Sequence, residues 1–121
     1  MPTALVIDDQ REMADSLAKL LSLLGVDVKV AYGARSAMQI LQTTSPEIVF
    51  LDINMPAVDG FEVFAYLRRI PAMRKTPVVV VTSDDQPETR QRVQDYGALA
   101  LVIKPASYET LAEVLEKANL L

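Results

Sequence analysis

Short apolar runs alternate with segments whose apolar residues recur at helical spacing, and the alternation repeats five times along the chain. Ala4-Leu5-Val6-Ile7 is an apolar run of strand length. Met13, Leu17, Leu20, Leu21 and Leu24 then share one helical face, and Gly25 stops that helix. Val26-Asp27-Val28-Lys29-Val30 alternates strictly, as a strand with one wet face does. Ala34, Ala37, Met38 and Leu41 mark a second helix, and Ile48-Val49-Phe50-Leu51 is a third strand without alternation. A third helix after Gly60 carries Phe61, Phe64 and Leu67. Val78-Val79-Val80-Val81, β-branched throughout, predicts a fully buried central strand. Pro87 suits the first turn of a fourth helix, with Gly97 past its end. Ala98 to Ile103 predicts the fifth strand, and Ser107 caps a last helix with Leu111, Val114, Leu115 and Ala118 on one face.

Regular strand–helix alternation implies a parallel sheet with helices on both faces and right-handed crossovers. Only the second strand alternates, which places it at an edge. The expected architecture is therefore α/β: a doubly wound five-stranded parallel sheet in the flavodoxin-like order 2-1-3-4-5. A length of 121 residues predicts a single domain spanning residues 1–121. Half of the residues are hydrophobic, enough to supply its core.

In such sheets the ligand site lies beyond the carboxyl ends of the strands. The first strand runs into Asp8 and Asp9, the third into Asp52, the fourth into Thr82-Ser83 and the fifth into Lys104-Pro105. In the order 2-1-3-4-5 the first and third strands are neighbours, so three carboxylates converge on one crevice, with Thr82 and Lys104 beside them. The chain has no Cys, His or Trp, which excludes disulfides, thiolate nucleophiles, imidazole acid–base chemistry and nitrogen or sulfur metal sites. Crowded carboxylates raise one another's pKa or recruit a cation, and an all-oxygen site favours Mg²⁺, Ca²⁺ or Mn²⁺. A lysine and a hydroxyl alongside suit a phosphoryl group, and an Asp is a known covalent acceptor of one. The net charge of −4 argues against direct nucleic-acid binding. The apolar runs are too short to span a bilayer, and Met1-Pro2-Thr3-Ala4 carries no secretory signal, so the expected location is the cytoplasm.

Leu5-Val6-Ile7-Asp8-Asp9, Leu51-Asp52-Ile53-Asn54-Met55-Pro56, Asp59-Gly60, Val81-Thr82-Ser83, Gly97-Ala98 and Lys104-Pro105 stand in an order that resembles the receiver domain of two-component response regulators, over essentially the whole chain. The resemblance implies a phosphoacceptor signalling module that catalyses only its own phosphorylation and dephosphorylation. It makes Asp52 the acceptor. It implies Mg²⁺ held by Asp9 directly, by Asp8 mostly through water, by Asp52, and by the backbone carbonyl of Asn54. Thr82 and Lys104 would bind the phosphoryl oxygens, and the Lys104-Pro105 bond would be cis. The donor would be the phosphohistidine of a sensor histidine kinase or histidine phosphotransfer protein, docking beside the first helix at exposed positions such as Gln10, Arg11 and Ala14. The chain would be a monomer or weak dimer, either a stand-alone regulator or a piece of a longer regulator or hybrid kinase.

Departures bear on output. Leu101 replaces the aromatic usual three residues before the lysine, Ala106 replaces the usual Phe, and Leu99-Ala100-Leu101 stands where DNA-binding members carry Asp-Asp-Tyr. With no aromatic on the fifth strand, the Thr82–Gln86 loop is expected to carry the signal to the fourth helix. Asn54 and Asp84, two positions after Asp52 and Thr82, are small and polar, which predicts a short-lived phosphoryl group. Two other functions lack a residue they need. A phosphatase with a nucleophilic Asp needs a proton donor two residues on, where Asn54 stands. A flavodoxin-like FMN carrier needs a Ser/Thr/Gly-rich loop after the first strand, where Asp8-Asp9-Gln10-Arg11-Glu12 stands. Met55-Pro56 and Asp59-Gly60 are turn signals, and Arg68, Arg69, Arg74 and Lys75 suggest a solvated helix end.

Overall fold

Every strand ends at the same edge of the structure, a computed structural model that describes residues 1–56 and 58–121. β1 (Thr3–Ile7), β2 (Asp27–Ala31), β3 (Ile48–Leu51), β4 (Val78–Thr82) and β5 (Ala100–Ile103) pair in parallel in the order β2-β1-β3-β4-β5, the order predicted. The helices are α1 (Arg11–Leu23), α2 (Ala34–Leu41), α3 (Gly60–Arg69), α4 (Pro87–Asp95) and α5 (Tyr108–Lys117). No helix among the described residues is long and apolar enough to cross a membrane.

Side chains alternate between the faces of a strand, so each central strand feeds two cores. Leu5, Ile7, Val49, Leu51, Val78 and Val80 pack under Ala37 of α2, Phe64 of α3 and Val93 of α4. Val6, Ile48, Phe50, Val79 and Val81 pack under Leu17 and Leu21 of α1 and Leu111 and Leu115 of α5. All of β3 and β4 is buried, which explains why neither alternates. At the edge, Asp27 and Lys29 of β2 are exposed, while Val28 and Val30 are half-buried.

The helix ends follow their residue chemistry. Gly25 takes a positive φ of 87° beyond α1, as a left-handed C-terminal residue does. Asp59 accepts from the Phe61 N–H at 2.9 Å and Ser107 from the Thr110 N–H at 3.1 Å, capping α3 and α5.

Local details differ from the sequence expectation. β2 begins at Asp27, not Val26, because the Val26 N–H bonds the Leu21 carbonyl at 3.1 Å and closes the end of α1. β5 begins at Ala100, not Ala98, because the Ala98 N–H turns back to the Val93 carbonyl at 3.3 Å and closes the end of α4. A 3₁₀ turn at Pro71–Met73 follows α3. Arg68 is not a solvated helix end: it is half-buried and donates to the carbonyls of Met73 (3.2 Å) and Thr76 (2.7 Å). Burial lowers its guanidinium pKa.

Gly60 answers a packing demand more than a turn demand. A Cβ there would lie 2.3 Å from the Ile53 Cα and 2.9 Å from its carbonyl carbon, both backbone atoms. The loop after β3 therefore closes against α3 only because residue 60 has no side chain. Gly60→Ala is expected to destabilise the protein by about 3 kcal/mol, at the upper end for overpacking, read as a lower urea midpoint with unchanged slope.

Candidate functional site

The carboxylates sit where the sheet ladder overruns the strands. The Asp8 N–H donates to the Ala31 carbonyl (3.1 Å) and the Asp52 N–H to the Ile7 carbonyl (2.9 Å), one step past the ends of β1 and β3. Each side chain then folds over its own loop in the same way. Asp8 Oδ1 accepts the Gln10 N–H and Asp52 Oδ1 accepts the Asn54 N–H, both at 2.9 Å. These turns fix one oxygen of each carboxylate and leave the other, Oδ2, facing Lys104 from the end of β5. Lys104 Nζ lies 2.9 Å from Asp8 Oδ2 and 3.6 Å from Asp52 Oδ2, and it donates to Gln10 Oε1 at 3.4 Å. The Lys104-Pro105 bond is cis, as expected.

Asp8 and Asp52 are each only 3% exposed. Asp9 is half-buried, and its Oδ1 is buried without a hydrogen-bond partner among the described residues. One oxygen from each of Asp8, Asp9 and Asp52 falls within 4.8 Å of the others. Three carboxylates against one ammonium leave the cluster electrostatically short of positive charge. Asp52 carries the strain: burial pushes its pKa above the ordinary 3.8 and the Asp8 charge adds to this, against the opposing Asn54 N–H and Lys104. An unpartnered buried carboxylate oxygen in an all-oxygen cluster is what a hard divalent cation relieves, so the residues fit one.

Thr82 closes the crevice at the end of β4. Its hydroxyl is fully buried and accepts from Asn54 Nδ2 at 2.7 Å and from the Asp84 N–H at 3.2 Å. Asp84 is tied in turn to α4, accepting from the Thr89 hydroxyl (2.7 Å) and the Gln86 N–H (3.0 Å). These two bonds, Thr89 first, lower its pKa.

The structure thus brings Asp8, Asp9, Asp52, Asn54, Thr82 and Lys104 together at one edge. Two contacts went unforeseen: Gln10 on Lys104, and the Asn54 amide on Thr82. The signal for the second was Asn54 itself, two residues past an Asp that begins an Asx turn. One docking position needs correction. Gln10 and Arg11 are exposed, but Ala14 is completely buried, packed with Leu17 and Leu21 in the core between α1 and the sheet. Leu101 is half-buried against the α2–α4 face. Tyr96, at the end of α4, stacks its ring on Phe61 (4.8 Å) and Phe64 (5.7 Å), while Arg92 covers Phe61 at 4.1 Å and pairs with Asp59 at 3.8 Å.

The raised Asp52 pKa has a stability consequence. A carboxyl whose folded pKa exceeds its unfolded one favours folding while protonated, and that contribution disappears as pH rises through the folded value. In chelator-containing buffer Asp52→Asn is therefore expected to be more stable than wild type at pH 7. The advantage should shrink as pH falls toward the ordinary carboxylate range. Urea midpoints measured at both pH values check this.

Comparison with known proteins agrees with this geometry. The family model described as the response regulator receiver domain matches residues 4–116. The response regulator MprA of Mycolicibacterium vanbaalenii is 36% identical over 88% of this chain, and the match spans 46% of that longer protein, about half its length. Protein PilG of Pseudomonas aeruginosa is 32% identical over 88% of the chain and 79% of its own length. The solved structure of the Vibrio cholerae chemotaxis protein CheY4 superposes with a TM-score of 0.90 at 28% identity, covering 98% of both chains. With the sheet order, the strand-end carboxylates and the matched residues in agreement, this chain belongs to the receiver domain family of two-component response regulators.

Proposed function

We propose that this chain accepts a phosphoryl group on Asp52 from a phosphohistidine of a histidine kinase or histidine phosphotransfer protein, with Mg²⁺ as the cation, and so works as a signalling module rather than a turnover enzyme. The observation that carries the reading is the cluster itself: one oxygen from each of three carboxylates within 4.8 Å, a buried Asp9 oxygen without a partner among the described residues, and a lysine spanning Asp8 and Asp52.

Each residue has a part in that reaction. Asp52 Oδ1 is held by the Asn54 N–H, so Oδ2 keeps the free lone pairs and is the nucleophile. Its bond to phosphorus forms as the phosphorus–nitrogen bond to the donor imidazole breaks, and the electron pair leaves with that nitrogen. Lys104 shifts from the carboxylate to a phosphoryl oxygen, replacing one anionic partner by another. Thr82 donates its hydroxyl proton to a second phosphoryl oxygen. Asp9 through its unpaired Oδ1, Asp52 and the Asn54 backbone carbonyl would hold the metal, and Asp8 through water, since Asp8 is committed to Lys104 and the Gln10 N–H. Bound Mg²⁺ supplies charge neutralisation for the carboxylates and the phosphoryl oxygens. Loss of the phosphoryl group requires water to attack phosphorus, restoring the carboxylate and releasing inorganic phosphate. Turnover of phosphate esters would need a proton donor two residues past Asp52, and the Asn54 amide offers none.

A donor must reach the open side of this edge, where Gln10 and Arg11 are exposed. Output leaves by another route. Bonds run unbroken from Thr82 through the Asp84 N–H and carboxylate to Thr89 on α4, which supports the Thr82–Gln86 loop as the carrier of the signal.

Incubation with acetyl phosphate and Mg²⁺ is expected to add one phosphoryl group, seen by mass spectrometry as a base-labile adduct that is absent in Asp52→Asn. A fully modified Asp52→Asn would overturn the assignment. Asp9→Ala is expected to weaken Mg²⁺ binding more than Asp8→Ala, measured by calorimetric titration. Leu101→Ala should leave the phosphorylation rate within about tenfold of wild type, because Leu101 lies outside the reacting groups.

A further inference from the structure

We infer that Gln10 is a positioning residue for Lys104: with Asp8 it holds the ammonium in place while the third partner changes from the Asp52 carboxylate to a phosphoryl oxygen. The inference rests on the phosphoacceptor reading above and gives a part in it to a side chain that the reading uses only as an exposed docking position.

An ammonium has three donors and no acceptor. The Lys104 side chain is only 10% exposed, so protein oxygens rather than water must answer most of them. Three surround Nζ: Asp8 Oδ2 at 2.9 Å, Gln10 Oε1 at 3.4 Å and Asp52 Oδ2 at 3.6 Å. Asp52, the partner that the reaction exchanges, is the most distant of the three. The base of Gln10 is fixed. Its N–H donates to Asp8 Oδ1 at 2.9 Å, and its carbonyl accepts the Ala14 N–H at 2.9 Å as α1 begins. Asp8 and Gln10 are therefore bonded to each other and both touch the ammonium, which closes a ring around it. Gln10 stands at the N-cap of α1, yet its side chain makes no capping bond there. A Ser or Asp at that position would turn back onto the helix. The longer glutamine carries its oxygen to Lys104 instead, 94 residues away in the sequence.

The charge of this side chain matters as much as its reach. Three carboxylates already crowd around one ammonium. A glutamate at position 10 would add a fourth negative charge, hold the ammonium by an ion pair and compete with the incoming phosphoryl oxygen. The neutral amide oxygen orients the ammonium without that competition. Lys104 can then trade one anionic partner for another while two contacts remain, so the ammonium swings and is not released to solvent.

Two substitutions separate reach from charge. Gln10→Met keeps the length without a strong acceptor, and Gln10→Glu keeps the acceptor but adds charge. The first measurement needs no metal. In the NMR spectrum of the metal-free chain, the Lys104 ammonium protons are expected to exchange with water faster in Gln10→Met than in wild type, and to stay protected in Gln10→Glu. The second measurement titrates beryllium fluoride, a phosphoryl mimic, at saturating Mg²⁺. Gln10→Met should bind it roughly fivefold more weakly than wild type, below the usual worth of a hydrogen bond to a charged group because this one is long and partly exposed. Gln10→Glu should bind it more weakly still, although it holds the ammonium. The Mg²⁺ affinity of Gln10→Met without the mimic should change less than twofold, because the Gln10 side chain touches Lys104 and not the metal-facing oxygens. Wild-type affinity for the mimic in either variant, or Lys104 protons indifferent to Gln10→Met, overturns the inference alone. An equal loss of Mg²⁺ affinity overturns it too, since Gln10 would then merely support Asp8. A wild-type chain that binds no beryllium fluoride overturns the phosphoacceptor reading and the inference with it. Urea midpoints of all variants show that each remains folded.

Discussion

Like charges crowded into a partly dry crevice are the constraint around which this sheet edge is built. Asp8 and Asp52 are nearly inaccessible, Asp9 stands beside them, and one lysine pairs with Asp8 and Asp52. Burial first, and then the neighbouring Asp8, raises the Asp52 pKa. Such a cluster survives in the folded state only because other parts of the protein offset its cost. The two cores do so, with β3 and β4 buried throughout. The ladder bonds running past Ile7 and Leu51 keep the carboxylates from swinging apart into solvent. Lys104 has to come from β5, across β4, so the positive charge arrives only once the last strand has joined the sheet.

Much of this was legible in the chain because a parallel sheet sends every strand's carboxyl end to one edge. Once Ala4–Ile7, Ile48–Leu51 and Val78–Val81 read as strands, the polar residues after them had nowhere else to meet. The Val26–Val30 alternation placed β2 at the edge for a similar reason: only an edge strand keeps Asp27 and Lys29 wet. What escaped was side-chain reach. Periodicity says which face a residue occupies but not where a long or branched side chain ends. Arg68 therefore read as a solvated helix end, although it is half-buried and bonds two carbonyls. The Asn54 amide crosses to Thr82 over a sequence separation of 28 residues. Ala14 is hidden for a different reason. It sits three residues before Leu17 and seven before Leu21, on the same buried face, and its small size hid it behind the leucine stripe.

Family membership frames the site, and the departures decide how this member uses it. The carboxylates, Thr82 and Lys104 meet at one edge of the sheet. The aromatic missing from β5 is partly answered elsewhere: Tyr96 and Arg92 put a ring and a guanidinium from α4 against Phe61, beside the loop that carries Asp52. α3 and α4 are thereby joined by aromatic and cation–π contacts, worth of order 1 kcal/mol each.

That cluster gives α4 an uneven grip on the molecule. Val93 is the only buried residue of the helix, and with Arg92 and Tyr96 it anchors the C-terminal half. The N-terminal half, Pro87 to Gln91, has no buried residue and is held chiefly through Thr89 on Asp84. A segment with so few apolar contacts opens locally at far less cost than the global unfolding free energy. The first turns of α4 therefore have lower local stability than its last, a hinge whose fixed end is aromatic and whose free end is tied through Asp84 to the loop after β4.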